Sequence, residues 1–241
     1  MVQKQLYDMA LGVGIRLSNV QLDKFKIYHH ILSDWNNRIN LTSIEGEEEI
    51  YFKHFWDSLN ICRAMPLDFF NRKTLLDVGT GGGFPGLPLG IVFPQNKITL
   101  VESRGKKVKF LNSLLTSLDL PNVLVVQERA EDLARSASFR EKFDVVLSRA
   151  LGSLPIGLEL TLPFCRIGGI TIFYKGKSVI NEVTKLCKTI DLLGGSINQL
   201  VELEGNDSLP QRIFVIIDKS KQTPEKFPRR SGIPQKRPLI D

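Results

Sequence analysis

Histidine and cysteine are scarce, with three of each in 241 residues. Cys62, Cys165 and Cys187 stand far apart with no paired spacing, so the chain carries neither a disulfide framework nor a zinc-ligand pattern. They read as buried thiols of a reducing cytosol. His29, His30 and His54 are too few to build a metal centre around, and no metal is expected. Any apolar run of about eighteen residues is also missing, which argues against a membrane-spanning helix. The first fifteen residues hold Lys4, Asp8 and polar neighbours, and lack the basic start and apolar core of a secretion signal. A cytoplasmic location is the expectation. What remains is ordinary globular composition, 42% hydrophobic and 24% charged, at a length that suits one large domain or a domain with a modest extension.

The formal net charge is +6, and its location matters more than its size. Residues 219–241 hold seven Lys or Arg against two Asp or Glu, which is +5, so the preceding 218 residues carry about +1. A nearly neutral body with a basic, Pro-rich end points to a polyanionic partner touched by the tail. A solvated tail that only aids solubility is the competing reading.

Residues Thr74 to Gly86, TLLDVGTGGGFPG, organise the rest. Leu75 and Leu76 suit a parallel strand buried on both faces. Asp77 closes that strand, and Gly79, Gly81, Gly82 and Gly83 follow within six residues, where positive φ and close approach to a ligand cost nothing. Phe84 and Pro85 open a helix. This is a nucleotide-type pocket at the carboxyl edge of a sheet. Gly81, Gly83 and Gly86 formally satisfy the dinucleotide fingerprint. A carboxylate at Asp77, however, would repel a pyrophosphate and would suit the sulfonium and ammonium groups of S-adenosylmethionine (SAM). The next strand, Lys97 to Val101, delivers Glu102 as an acceptor for two ribose hydroxyls. SAM is favoured over a dinucleotide, and an αβ turn without ligand is the remaining alternative.

Residues 1–65 look helical. Leu22, Phe25, Ile27, Tyr28, Ile31, Leu32 and Trp35 recur at helical spacing after an N-cap at Ser18 or Asn19. The stretch WNNRINLTS breaks that helix, and a second one follows Glu45, placing His54 and Asp57 on one face. From Thr74 strands and helices alternate, the mark of an open parallel sheet. The spacing predicts a helix over Gly105 to Leu118 and strands at Asn122 to Val126, Phe143 to Leu147 and Gly169 to Tyr174. Helices are expected at Ser153 to Phe164 and Val179 to Leu193. Strands at Ser196 to Leu203 and Arg212 to Asp218 are joined by Glu204 to Gln211, too short for a crossover helix, so the last strand runs antiparallel. The expected fold is α/β, a Rossmann-like class I SAM-dependent methyltransferase with a seven-stranded, mostly parallel sheet. It divides into an N-terminal helical extension (1–65), a methyltransferase domain (66–218) and a basic tail (219–241).

NRINLTSI (37–44), KHFWDSL (53–59), LLDVGTGGGFPGLPL (75–89), RAEDL (129–133), SRAL (148–151) and PRRSGIPQKRPL (228–239) together resemble the RsmG family, older name GidB. The glycine block alone marks only the methyltransferase superfamily; its combination with NLTSI, HFWDSL and SRA is far more specific. The resemblance covers about Trp35 to Leu239. It implies a SAM-dependent 16S (small-subunit) ribosomal RNA guanine-N7 methyltransferase of bacteria, acting on ribosomal RNA or a ribosomal subunit. By motif it implies cofactor contacts at Gly79, Phe84, Glu102, Ser103, Arg104, Ala130, Glu131 and Arg149, beside Asp77, Gly81 and Gly83 from the loop itself.

Guanine N7 has a free lone pair and no hydrogen. No general base is needed, and no acid–base or nucleophilic catalytic residue is named. Amine methyltransferases commonly carry Asn-Pro-Pro-aromatic after the fourth strand, where this chain reads Ser148-Arg149-Ala150-Leu151. Catalysis is then mostly alignment, with Asn40, Arg149 and Lys175 as positioning candidates at the pocket mouth. N7 faces a deep, narrow groove within an RNA helix, so the target base must be unpaired or extruded. Arg38, Lys106, Lys107, Arg229, Arg230, Lys236 and Arg237 are the RNA-binding candidates, each a salt-sensitive contact. No long apolar stripe asks for a partner helix, so a monomer is expected. The rivals are a small-molecule or protein methyltransferase, a NAD-dependent oxidoreductase, and an RNA-binding assembly factor with a vestigial pocket.

Overall fold

Ser18 starts the first long helix as the spacing predicts. Its hydroxyl accepts from Gln21 N–H while the Gln21 side chain accepts from Ser18 N–H, a reciprocal cap. The computed structural model describes residues 1–205 and 211–241. Helices α1 (Val2–Gly12) and α2 (Asn19–Ile39) lead into a helical run made of α3 (Glu47–Ile50), a π turn (Tyr51–Trp56) and α4 (Asp57–Leu59). The wider π turn was not read from the sequence. It buries Tyr51, Phe52, His54, Phe55 and Trp56 together, which a regular helical stripe does not do. Along α2, Phe25, Tyr28 and Leu32 are buried, but Ile27, expected in the stripe, is 39% exposed.

The sheet elements follow as β1 (Thr74–Val78), α5 (Gly86–Val92), β2 (Lys97–Glu102), α6 (Gly105–Leu118), β3 (Val123–Gln127), α7 (Ala130–Leu133) and β4 (Phe143–Arg149). Next come α8 (Leu154–Thr161), β5 (Cys165–Lys175), α9 (Val179–Val183), α10 (Cys187–Leu192), β6 (Gly195–Leu203), β7 (Arg212–Lys219) and α11 (Ile233–Lys236). Strand order is β3-β2-β1-β4-β5-β7-β6, with β7 antiparallel to both neighbours. The chain builds outward from β1 to β3 and then returns to β4. The resulting switch point between β1 and β4 is where an open α/β sheet leaves a crevice for ligand.

Side-chain alternation explains the layering. Leu75, Val145 and Leu147 face the N-terminal helices, α5 and α6; Leu76, Val78 and Val146 face α7 and the segment before β5. A further cluster packs α8, α9 and α10 against β5 and β7. Three expectations change. The helix foreseen over Val179 to Leu193 is two short ones, β5 begins at Cys165 rather than Gly169, and Cys187 is exposed while Cys62 and Cys165 are buried. Most of the joint foreseen at Glu204 to Gln211, residues 206–210, lies outside the described residues. No helix among those described is long and apolar enough to cross a membrane.

The basic end is no free tail. Phe227 is 5% exposed within the α8–α10 cluster. Arg140 donates to the carbonyls of Thr223 (2.6 Å) and Phe227 (3.0 Å), and the Asp241 carboxylate caps the amides of Lys188 and Thr189.

Candidate active site

At the carboxyl edge of β1, β2 and β4 lies a cavity of about 400 Å³. Asp77 fixes the loop above it from inside. Fully buried, its Oδ2 accepts from Thr80 Oγ1 (2.6 Å) and Gly86 N–H (2.9 Å). Burial pushes its carboxyl up to about 6, against those two hydrogen bonds. Gly86 must be glycine, since a Cβ there would sit 2.5 Å from Leu100 and 2.9 Å from Asp77. On the other side Glu102 accepts from Gly81 N–H (3.2 Å) through one oxygen and from Arg104 N–H (2.8 Å) through the other. The Gly81 amide that a pyrophosphate would take is therefore already given to a carboxylate.

The wall fits the adenosine part of SAM. Each Glu102 oxygen holds one hydrogen bond and keeps a lone pair for a ribose hydroxyl. At Gly81 (φ +60) the position of a missing Cβ meets only Lys107 Nζ at 3.7 Å and the Gly79 carbonyl at 3.9 Å, so a ligand can lie against the backbone. Val101, Leu151, Ile156 and Leu160 supply apolar faces for a purine.

The structure brings Gly79, Gly81, Glu102, Ser103, Arg104, Ala130 and Glu131 to the cavity wall, with Lys107. Asp77, Gly83, Phe84 and Arg149 are not on it. Asp77 acts beneath the loop, so it is Glu102, not Asp77, that stands in the way of a pyrophosphate. A Cβ on Gly83 (φ +97) would meet Tyr28 Oη at 2.6 Å, and that hydroxyl donates to the Gly82 carbonyl. Phe84, 5% exposed, stacks on His54 at 4.5 Å and on Tyr28 at 5.3 Å. The Arg149 guanidinium lies 4.9 Å over the Phe84 ring and donates to Asp57 (2.9 Å) and His54 Nδ1 (3.0 Å). Asp57 also takes two hydrogen bonds from Arg212, each 2.8 Å. His54 and Asp57, foreseen on one face of a helix, thus join the glycine loop to β4 and β7.

His54 accepts from Arg149 at Nδ1, so Nε2 carries the proton and donates to Thr42 Oγ1 at 2.7 Å. Burial, and then the Arg149 charge, lower its pKa from 6.5 to about 3. The unfolded chain binds the extra proton between those values, so His54 takes stability away as pH falls from about 6.5 toward 3. Asp77 acts oppositely: with its value raised from 3.8 to about 6, its stabilising contribution is present below 3.8 and lost as pH rises through 6. The His54 shift is the larger. Between about pH 6 and 3.8 the two slopes oppose and nearly cancel. Stability to urea is therefore expected to fall from about pH 6.5 to 6, to hold through that window and to fall again toward pH 3, whereas in His54→Gln it rises as pH falls from 6 to 3.8.

The other candidates lie apart. Asn40, exposed, ends α2 in the left-handed region at φ +50, its amide bonded to the Asn36 carbonyl. Lys175 donates to the Gly152 carbonyl and holds the loop after β4; burial lowers its pKa. Arg38 pairs with Asp34 one turn back on α2. Lys106, Arg230, Lys236 and Arg237 are exposed. Arg229, expected among the RNA contacts, clamps the fully buried Glu159 through Nε (2.9 Å) and Nη2 (2.6 Å). Sequence reasoning missed Leu151, Ile156, Leu160 and Gln235 on the wall. Ile156 and Leu160 look like helix core, Leu151 like a loop residue after the fourth strand, and Gln235 sits in the basic, Pro-rich end.

The family model GidB, described as rRNA small subunit methyltransferase G, matches residues 21–212. Ribosomal RNA small subunit methyltransferase G of Acetivibrio thermocellus is 44% identical over 238 residues, 99% of this chain and 97% of that one. Its namesake in Dictyoglomus thermophilum is 42% identical over 235 residues, 98% and 96% of the two chains. Among solved structures, the 16S rRNA (adenine(1408)-N(1))-methyltransferase from Catenulisporales acidiphilia has a TM-score of 0.53 at 14% identity, over 68% of this chain and 92% of that one. A SAM-dependent methyltransferase from Aquifex aeolicus has 0.52 at 17%, over 67% and 88%. Those two likenesses are of fold; the sequence matches reach further, and by them this chain belongs to the GidB family of small-subunit ribosomal RNA methyltransferases.

Proposed function

We propose that this chain transfers a methyl group from SAM to N7 of one guanine in small-subunit ribosomal RNA. When bound, SAM supplies a methyl group on a sulfonium, already activated for displacement. Glu102 carries the assignment of the cavity: its carboxylate ties Gly81 and Arg104 together and keeps acceptor capacity toward the space a ribose would fill. Gly79, Gly81, Ser103, Arg104, Ala130 and Glu131 complete the holding set, while Asp77, Gly83, Phe84 and Arg149 shape the loop from behind.

N7 needs no base to deprotonate it, and no residue pair at the cavity has to be given that role. The chain's task is to hold two partners in line, which is worth roughly 7–11 kcal/mol when geometry is good. Arg149 and Lys175 act as positioning residues, through the loop after β4, and Asn40 through the turn that follows α2. The C-terminal segment of the same chain reaches the cavity wall through Gln235, which supports the reading that one copy of the chain is enough to form the site.

Phosphate contacts fall to the exposed Lys106, Arg230, Lys236 and Arg237, with Lys107 at the cavity rim and Arg38 on α2. Substituting Ala for Arg230, Lys236 or Arg237 is expected to lower the slope of log affinity for RNA against log salt by about 0.7–0.9 for each phosphate no longer neutralised. An unchanged slope in all three contradicts the RNA role of this segment. The acceptor is tested with methyl-labelled SAM and RNA, naked or in subunits, from cells lacking the protein. Label entering small-subunit and not large-subunit RNA is the expected result; label in neither, with SAM bound, contradicts the assignment.

A further inference from the structure

The C-terminal segment docks on α7 and α8 through specific bonds. Arg229 clamps Glu159, Ser231 Oγ donates to Asp132 Oδ2 (2.7 Å), and Gly232 N–H donates to Glu131 Oε1 (2.9 Å). Three residues further, Gln235 stands on the cavity wall with Glu131, Ile156 and Leu160. A stretch 101 residues beyond Glu131 thus contributes to the site that the strand-end loops begin.

Resting on the SAM reading, we propose that Gln235 contacts the nucleobase of the bound cofactor, and that the Gly232 amide positions Glu131 at the same end. Glu131 is 5% exposed, and its Oε1 is taken by both Gly232 N–H and Arg129 (3.0 Å), which holds the carboxylate at the wall. Ile156 and Leu160 present apolar surface of the kind that flat purine faces cover. The primary amide of Gln235 offers donor and acceptor together, the pairing set of a purine edge. Glu102 and Ser103, from the other loop, serve the ribose. The nucleobase is therefore read in part by a segment whose neighbouring residues, Lys236 and Arg237, face solvent as RNA contacts.

The test is calorimetric titration of the full chain, without RNA, by SAM, S-adenosylhomocysteine and 5′-methylthioadenosine. These share the adenosine moiety and differ beyond it. Gln235→Ala and Gln235→Met are each expected to weaken all three alike, by about 3–10-fold, the worth of one neutral hydrogen bond. The ligand-free melting temperature is expected to stay within about 1 °C of the unaltered chain's, because Gln235 is exposed there. Unaltered affinity in either variant overturns the contact. A loss for SAM and S-adenosylhomocysteine but not for methylthioadenosine overturns its placement at the nucleobase. A loss confined to Gln235→Ala with a lowered melting temperature assigns the effect to packing and also overturns it. No binding of any of the three by the unaltered chain refutes the cofactor reading itself, and this contact with it.

Discussion

Replacing Asp57 by Ala is expected to lower the melting temperature by about 10 °C. The Asp57 side chain is 2% exposed and takes three hydrogen bonds of 2.8–2.9 Å from two guanidinium groups. Those groups, on Arg149 and Arg212, are themselves only 12% and 15% exposed. Removing the carboxylate leaves two cations short of water and short of a partner, a change that costs about 3–5 kcal/mol. In a chain of this size each kcal/mol moves the midpoint by about 2–4 °C. The three residues come from the N-terminal helical run, β4 and β7, so the loss also loosens the extension from the sheet. Asp57→Asn keeps the shape and one acceptor oxygen, and its midpoint should lie between. Scanning calorimetry decides; an Asp57→Ala midpoint equal to that of the unaltered chain contradicts this account of the network.

Gly81→Val and Glu102→Ala are each expected to cost at least about 100-fold in SAM affinity, about 2.7 kcal/mol. At Gly81 the backbone sits at φ +60, a region that β-branched residues scarcely enter. The added side chain would also grow into the space left open in front of Lys107. Glu102→Ala acts on chemistry as well as shape: it removes the acceptor proposed for the ribose and frees the Gly81 and Arg104 amides that the carboxylate held. Both chains should remain folded, because the core under the loop is left intact. Calorimetric titration checks affinity, and far-ultraviolet circular dichroism checks the fold. Full affinity in both would remove the cofactor from this cavity.

The sheet was legible because its strands are short apolar runs punctuated by glycine, as Thr74 to Gly86 illustrates. Helix α6 matched its foreseen limits, Gly105 to Leu118, since one apolar stripe and one lysine-rich face leave little choice. The N-cap at Ser18 was legible for a local reason, a hydroxyl and an amide three residues apart. Long-range pairing was not. Nothing near Arg229 in sequence announces Glu159, 70 residues back, or near Gly232 announces Glu131. Phe227, Pro234 and Leu239 fall among charges with no helical or strand period, so the segment read as a tail although it is packed. The site divided along the same line. Residues at strand ends, Gly79, Gly81 and Glu102, were found from pattern, whereas Gln235 and the apolar wall from α8 follow only from three-dimensional packing. Phe84 and Arg149 came from resemblance, and their place behind the loop is set by His54 and Asp57, partners that spacing alone did not connect to them.

The central claim is methyl transfer to a ring nitrogen that needs no base. It is tested most directly by incubating the chain with methyl-labelled SAM and small-subunit RNA from cells lacking it, then cleaving the product with chemistry selective for N7-methylguanine. The account predicts one labelled guanine and strand scission at that nucleotide alone. Label that resists this cleavage, or that resides on an exocyclic amine, would contradict it.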